Sequence, residues 1–330
     1  MDSNIDNGEI IQTIHAPAKQ GSSTNFLKKF LSNRYLFSGS VIIIAVVIFA
    51  LYGYFFPPYN PSATFASNLQ PSSAHLLGTN YFGNDILSDF MVSIIPTLEI
   101  ALIGAALALL VAVVVGLFGG YFSGMKNELL AFFINVFLLI PGLPLAIVIS
   151  SGLEASHSNL GVLSLAIVII VTGWAFGART IRAQAMSIAG RDYIRFIKHT
   201  GESDFRIIFR EVLPSLLSYI GYVFTNLIIF AILLETSLLF LGLGNESIIS
   251  LGSILYFANN YDAILLGEWW WFIPPGLTIA IIGVGFGLMS LGLDTIANPT
   301  LRTYKNAKKF EREKRQPEKN HLHESSNEES

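Results

Sequence analysis

Cysteine is absent from the 330 residues, which excludes disulfides, thiolate catalysis and zinc–thiolate sites. Charge is scarce. Asp, Glu, Lys and Arg make up 13% of the chain while 52% is hydrophobic, so neither an ordinary soluble domain nor a disordered chain fits. No G-x-x-x-x-G-K-[ST] run occurs, so this chain does not itself cradle ATP phosphates. H-E-x-x-H and G-x-S-x-G are missing too, which removes the usual signatures of a membrane hydrolase. The histidines (His15, His75, His157, His199, His321, His323) show no ligand spacing beyond the pair at 321 and 323. No metal and no cofactor is expected. The basic residues are scattered among four short segments rather than gathered on one domain, which argues against a nucleic-acid partner.

What the chain has instead is long apolar runs of the length that crosses a bilayer, roughly 20 residues each. Leu36–Phe56, Leu129–Leu153, Leu160–Ala178 and Trp269–Leu293 hold no Asp, Glu, Lys or Arg. Ser93–Phe122 carries only Glu99, and Ser215–Gly244 only Glu235. The expected fold is therefore an all-α polytopic membrane protein of about six transmembrane helices. Leu36–Phe56 runs into Pro57-Pro58 with no small-residue cleavage site, so it reads as a retained span.

Orientation follows from the cations. All 20 Lys and Arg fall on one side of a six-span arrangement: before Leu36, at Lys126, between Arg179 and Arg210, and from Arg302 to Lys319. The opposite segments, 57–92, 154–159 and 245–268, hold none. The positive-inside rule then puts both termini and the loop 186–214 in the cytoplasm. The expected organisation is a flexible cytoplasmic lead over 1–33, a six-span domain over 34–302 with an outer segment 57–92, and a disordered charged tail over 303–330.

Arg191–Pro214 is the one heavily charged segment between two apolar spans. Its spacing predicts a helix over Asp192–Thr200, a left-handed break at Gly201, and a second helix capped by Ser203. Pro214 would close that unit and open the next span at its first turn. Phe205, Ile208, Phe209 and Val212 recur at three- and four-residue spacing and predict one apolar face. Such a pair either lies on lipid headgroups or plugs into a soluble partner.

Elsewhere, Gly104, Ala105, Ala108, Ala112 and Gly116 mark a close-approach face on the second span. His75–Phe90 predicts a turn and a short interfacial helix, with Tyr81 and Phe82 at headgroup level. Pro141-Gly142-Leu143-Pro144 demands a kink or break in the third span, as a packing device or as part of a pathway. Glu99 and Glu235 are intramembrane acids placed near outer ends that water reaches, so each reads as a structural carboxylate or a substrate contact. Trp269-Trp270-Trp271 reads as an aromatic belt, and Asn245-Glu246-Ser247 as a sequon on the outer side.

These flanks carry a resemblance. His75-Leu76-Leu77-Gly78-Thr79-Asn80 with Gly83-Asn84-Asp85 is similar to an HPLGTD-x-x-GRD signature, Gly119–Gly124 to a GYFGG turn, and Pro141-Gly142-Leu143 to FPGL. Trp174 with Ala178-Arg179 and Arg182, Glu235–Gly244, and Phe286–Arg302 match further motifs in the same order. The chain resembles, over roughly Leu36–Arg302, the permease subunits of ABC importers, in the dipeptide/oligopeptide/nickel branch and within it the second permease. The resemblance implies an inner-membrane transport subunit that is not itself an enzyme. Its implied partners are a second homologous permease, two ATP-binding subunits and an extracytoplasmic substrate-binding protein, with membrane lipid around it. Peptides are the implied cargo, with oligosaccharides or nickel as alternatives.

It also implies that the loop docks on the ATP-binding subunit through Tyr193, Ile194, Arg195, Phe196, Ile197, Gly201, Phe205, Phe209, Leu213 and Pro214. Pro141, Pro144 and Glu235 are the candidate pathway residues. The chain departs from the family where Tyr193-Ile194-Arg195-Phe196-Ile197 replaces Tyr-Val-Glu-Ala-Ala, and where Asn80, Asn84 and Asp89 replace Asp, Arg and Arg. An ATPase-independent channel or secondary transporter is the alternative reading, and a noncatalytic membrane scaffold a further one.

Overall fold

The computed structural model describes residues 32–155, 161–244 and 248–297. Residues 1–31 of the lead, the whole tail over 303–330, the sequon at Asn245, and His15, His157, His321 and His323 lie outside the described residues. Every regular element among the described residues is helical: α1 (Arg34–Phe55), α2 (Ile86–Tyr121), α3 (Met125–Leu139), α4 (Gly142–Ala155), α5 (Val162–Ala189), α6 (Asp192–His199), α7 (Asp204–Phe240), α8 (Leu251–Asn260) and α9 (Trp269–Ala297). Five are long and apolar enough to cross a membrane, and α3 with α4 forms a sixth, bent one.

That bend is 84°. Pro141 follows the end of α3 and Pro144 sits in the first turn of α4, where a missing N–H is tolerated. The kink or break expected at Pro141–Pro144 is thus a full break, which divides Leu129–Leu153 between two short helices. They still join the two ends of the bundle. Asn127, at the start of α3, accepts from Arg182 near the end of α5 at 2.6 and 2.9 Å. Gly244, just beyond α7, lies beside Leu165 near the start of α5, soon after α4 ends.

The core is the α2–α5 seam. Gly104 faces Ile169, Gly116 faces Ile181 and the Ala178 carbonyl, and Gly177 faces Ala112. Small residues let these backbones approach, since lipid gives apolar helices no hydrophobic reason to associate. α7 packs on this pair, and α1 and α9 close the other flank, with Gly39 against the Gly285 carbonyl. Asn33 caps α1 and also donates to the Gly292 carbonyl at 3.0 Å and to Thr295 Oγ1 at 2.8 Å. The described chain therefore starts and stops at one end of the bundle, the end that holds α6.

At the opposite end, segment 57–92 folds over the spans. No separate interfacial helix forms over His75–Phe90. Asp85 caps the helix by accepting from Ser88 N at 2.9 Å, and α2 then runs unbroken to Tyr121 through Pro96. Tyr81 stacks on Tyr261 at 4.3 Å between ring centres, and Phe82 meets Phe257 edge-on at 5.6 Å. The expected tryptophan belt is also corrected. Trp270 and Trp271 are buried and only Trp269 is exposed, because α8 and the outer segment cover this end of α9.

Candidate functional site

Between α5 and α7 the chain turns through a knuckle made of α6, Gly201 and the first turns of α7. Arg191 enters extended, Asp192 stands in the first turn of α6, and Lys198 and His199 stand in the last, the order that suits a helix dipole. Gly201 takes φ +87°, and a Cβ there would meet nothing within 4 Å. Its role is backbone freedom alone. Ser203 then caps α7, accepting from Arg206 N at 3.4 Å, and Arg206 pairs with Glu202 at 2.7 Å.

α7 is where the structure corrects the sequence most. Asp204–Phe240 is one helix of 37 residues, so Pro214 does not close a short unit. Pro214 lacks an N–H and its ring crowds the carbonyl four residues back. The helix absorbs this by widening to a π turn over Ile208–Val212. The predicted single apolar face also divides. Ile208 and Val212 are buried together with Ile207, whereas Phe205 and Phe209 face out with their rings 4.5 Å apart. On α6, Ile194 is buried and Ile197 packs against the core, while Tyr193 and Phe196 stay exposed. The knuckle thus keeps four rings uncovered, with Phe196 69% and Phe205 65% exposed.

A latch ties the knuckle to the spans. Tyr121 at the end of α2 donates its hydroxyl to Asp204 Oδ1 at 2.6 Å, and Lys198 reaches the same oxygen at 3.2 Å. The Lys198 ammonium also sits 5.3 Å from the centre of the Tyr121 ring. Three elements meet in this contact, and sequence reasoning missed it because Tyr121 and Asp204 are far apart in the chain. Both groups of the ion pair are partly exposed, so the whole latch contributes about 1 kcal/mol. Tyr121→Phe should leave insertion and yield unchanged but lower the solute moved per ATP hydrolysed a few-fold in proteoliposomes. An unchanged ratio would reduce the latch to a surface contact.

The candidate pathway residues do not converge on the knuckle. Pro141 and Pro144 are exposed at the α3–α4 break. Glu235 is not near water as expected: it is 0% exposed, since α8 folds back and lays Gly252 on Thr236 and Leu239. Thr236 Oγ1 donates to Glu235 Oε2 at 3.3 Å, while Oε1 has no hydrogen-bond partner among the described residues. Glu99 alone of the two intramembrane acids is exposed. No group of three or more metal-ligating side chains occurs among the described residues.

Residues 112–303 match the model of a family described as binding-protein-dependent transport system inner membrane component. The chain belongs to that family. The matched stretch includes α5, the knuckle, α7 and α9. Among curated relatives, a dipeptide transport system permease protein of Bacillus subtilis is 28% identical over 278 residues, 83% of this chain and 85% of its own length. An oligopeptide transport system permease protein of the same organism is 27% identical over 277 residues, 83% and 88% of the two chains. A protein of the latter name from Lactococcus lactis is 31% identical over 230 residues, 69% and 76%. This multi-pass membrane protein is a permease subunit of an ABC importer, and the reading as an ATPase-independent channel or secondary transporter finds no support. ATP-binding and substrate-binding partners follow for such a permease as a class.

Proposed function

We propose that the permease forms half of a translocation pathway for peptides, with a second homologous permease as the other half. Two ATP-binding subunits dock on its knuckle side and a substrate-binding protein meets the opposite end. The names of these relatives, dipeptide and oligopeptide transport system permeases, support peptides over oligosaccharides or nickel. Residues 34–302 act as the permease domain, and the knuckle end with both termini faces the cytoplasm, as the distribution of the 20 cations favours.

One observation carries the docking. Four aromatic rings on a stiff, latched helix pair remain uncovered, and exposed apolar groups held in place mark an interaction site. Their charged neighbours are mixed in sign (Asp192, Arg195, Lys198, Glu202), which suits a protein groove better than an anionic lipid surface. Arg195 is exposed beside Phe196 and makes no ion pair among the described residues. The complementary groove is acidic at that point and wide enough for a phenyl ring.

The mechanism is alternating access. Closure of the ATP-binding subunits moves the knuckle, and the unbroken α7 carries that motion through the π turn into the bundle. The exposed break at Pro141 and Pro144 leaves backbone groups that hydrocarbon would not satisfy, so it faces the second permease or the water of the pathway. The double variant Phe196→Ala, Phe205→Ala should cut the ATP-binding subunit recovered with the affinity-purified permease at least about tenfold. Membrane level should hold. Full recovery would return the knuckle to the headgroup reading.

A further inference from the structure

At the end of the bundle away from the knuckle, a cavity of about 210 Å³ opens between the outer segment and α8. Asn80, Phe82, Asp89, Ser253, Phe257 and Trp271 line it. Asp89 is the one carboxylate on this lining among the described residues. Its Oδ2 accepts from Asn80 Nδ2 at 3.3 Å, while Oδ1 is shut off from bulk water and has no hydrogen-bond partner among the described residues. The neighbouring Asp85 is fully engaged, by His75 at 2.9 Å and by the Ser88 amide and hydroxyl at 2.9 and 2.8 Å. A desolvated carboxylate oxygen without a donor is costly, and the remedy is a cation or a strong donor brought to it.

Among the described residues, the segments around the cavity have no such cation to offer. Segments 57–92 and 248–268, which build this end, contain neither Lys nor Arg. A Lys or Arg that pairs with Asp89 is one brought by another molecule. Size narrows what it is. At about 210 Å³ the cavity falls below the roughly 300–1,000 Å³ of pockets that enclose small-molecule ligands. A whole peptide does not fit, but a single long side chain does. The walls suit a cationic one, because Phe82, Phe257 and Trp271 present aromatic surface close to the carboxylate.

We propose that this cavity receives a lysine or arginine side chain of the extracytoplasmic substrate-binding protein, and so registers that protein on the permease. The inference rests on the importer reading above. It adds the contact chemistry at the outer end, where charge complementarity gives specificity and on-rate as well as affinity.

The test uses the complete transporter in proteoliposomes, titrated with its purified cognate binding protein while ATP hydrolysis is followed. Asp89→Asn keeps the shape of the side chain and removes its charge. The half-saturating concentration of binding protein should rise at least about tenfold, and its increase with added sodium chloride, steep in the wild type, should flatten. Stimulation with an unchanged half-saturating concentration overturns this proposal alone. Absence of any stimulation in the wild type overturns the importer reading, and this proposal with it. A photo-cross-linker in place of Phe82 gives a second, independent readout. Capture of a Lys- or Arg-bearing segment of the binding protein supports the assignment. Capture of the second permease or of lipid overturns it.

Discussion

Gly201→Val should strip the ATP-binding subunit from the purified permease while leaving the permease in the membrane at its normal level. The reason is local. Gly201 holds φ +87° with nothing within 4 Å of where a side chain would start, so a substitution there fails through the backbone and not through a clash. An ordinary L-residue pays about 1–2 kcal/mol in this region, and a β-branched one more. A cost of about 2 kcal/mol shifts an equilibrium roughly thirtyfold. The relaxed elbow would swing α6 away from α7, separating Lys198 from Asp204 and moving Phe196 relative to Phe205. Gly201→Asn is the control, since asparagine tolerates the left-handed region. It should retain most of the bound subunit. Subunit stoichiometry after purification in mild detergent reads both variants, and a wild-type ratio for the valine variant would end the docking model.

Much of this architecture was legible in the chain, and the exceptions have a common cause. Hydropathy marks where a helix crosses hydrocarbon, so the spans, the break at Pro141 and the elbow at Gly201 all stand where spacing and residue type put them. Hydropathy is silent on how far a helix continues beyond the membrane. Thus α5 runs on past Arg179 and Arg182 to Ala189, and α2 begins at Ile86, several residues before the apolar run. It is also silent on which part of a broad apolar arc the same chain covers. Ile207, Ile208 and Val212 are covered and Phe205 and Phe209 are not, a division set by tertiary packing on α7. Glu235 shows the same limit. Its depth was readable from the span, but its burial depends on α8 folding back from a later segment, which no local pattern announces.

The seam behind the latch should be the least forgiving place in the molecule. A Cβ on Gly120 would stand 2.5 Å from the Ala185 Cβ and 2.5 Å from the Arg182 carbonyl. Neither neighbour can yield, since alanine has no rotamer to change and the other atom is backbone inside α5. Overpacking of a tight core costs about 1–3 kcal/mol even where side chains can move, and here the two helices themselves must part. Gly120→Leu should therefore abolish recovery of monodisperse permease after detergent extraction, and Gly120→Ala should lower its melting temperature. Gly283→Ala, on α9 where a Cβ meets nothing within 4 Å, should match the wild type in both measurements. A normal melting curve for Gly120→Leu would mean that α2 and α5 do not touch there. The position also bears on coupling. Gly120 is the residue before Tyr121, whose hydroxyl holds Asp204, so the close approach of α2 to α5 sets where the latch can form. An alanine variant that still assembles should for that reason show the weakened coupling of Tyr121→Phe, although its own hydrogen-bonding groups are intact.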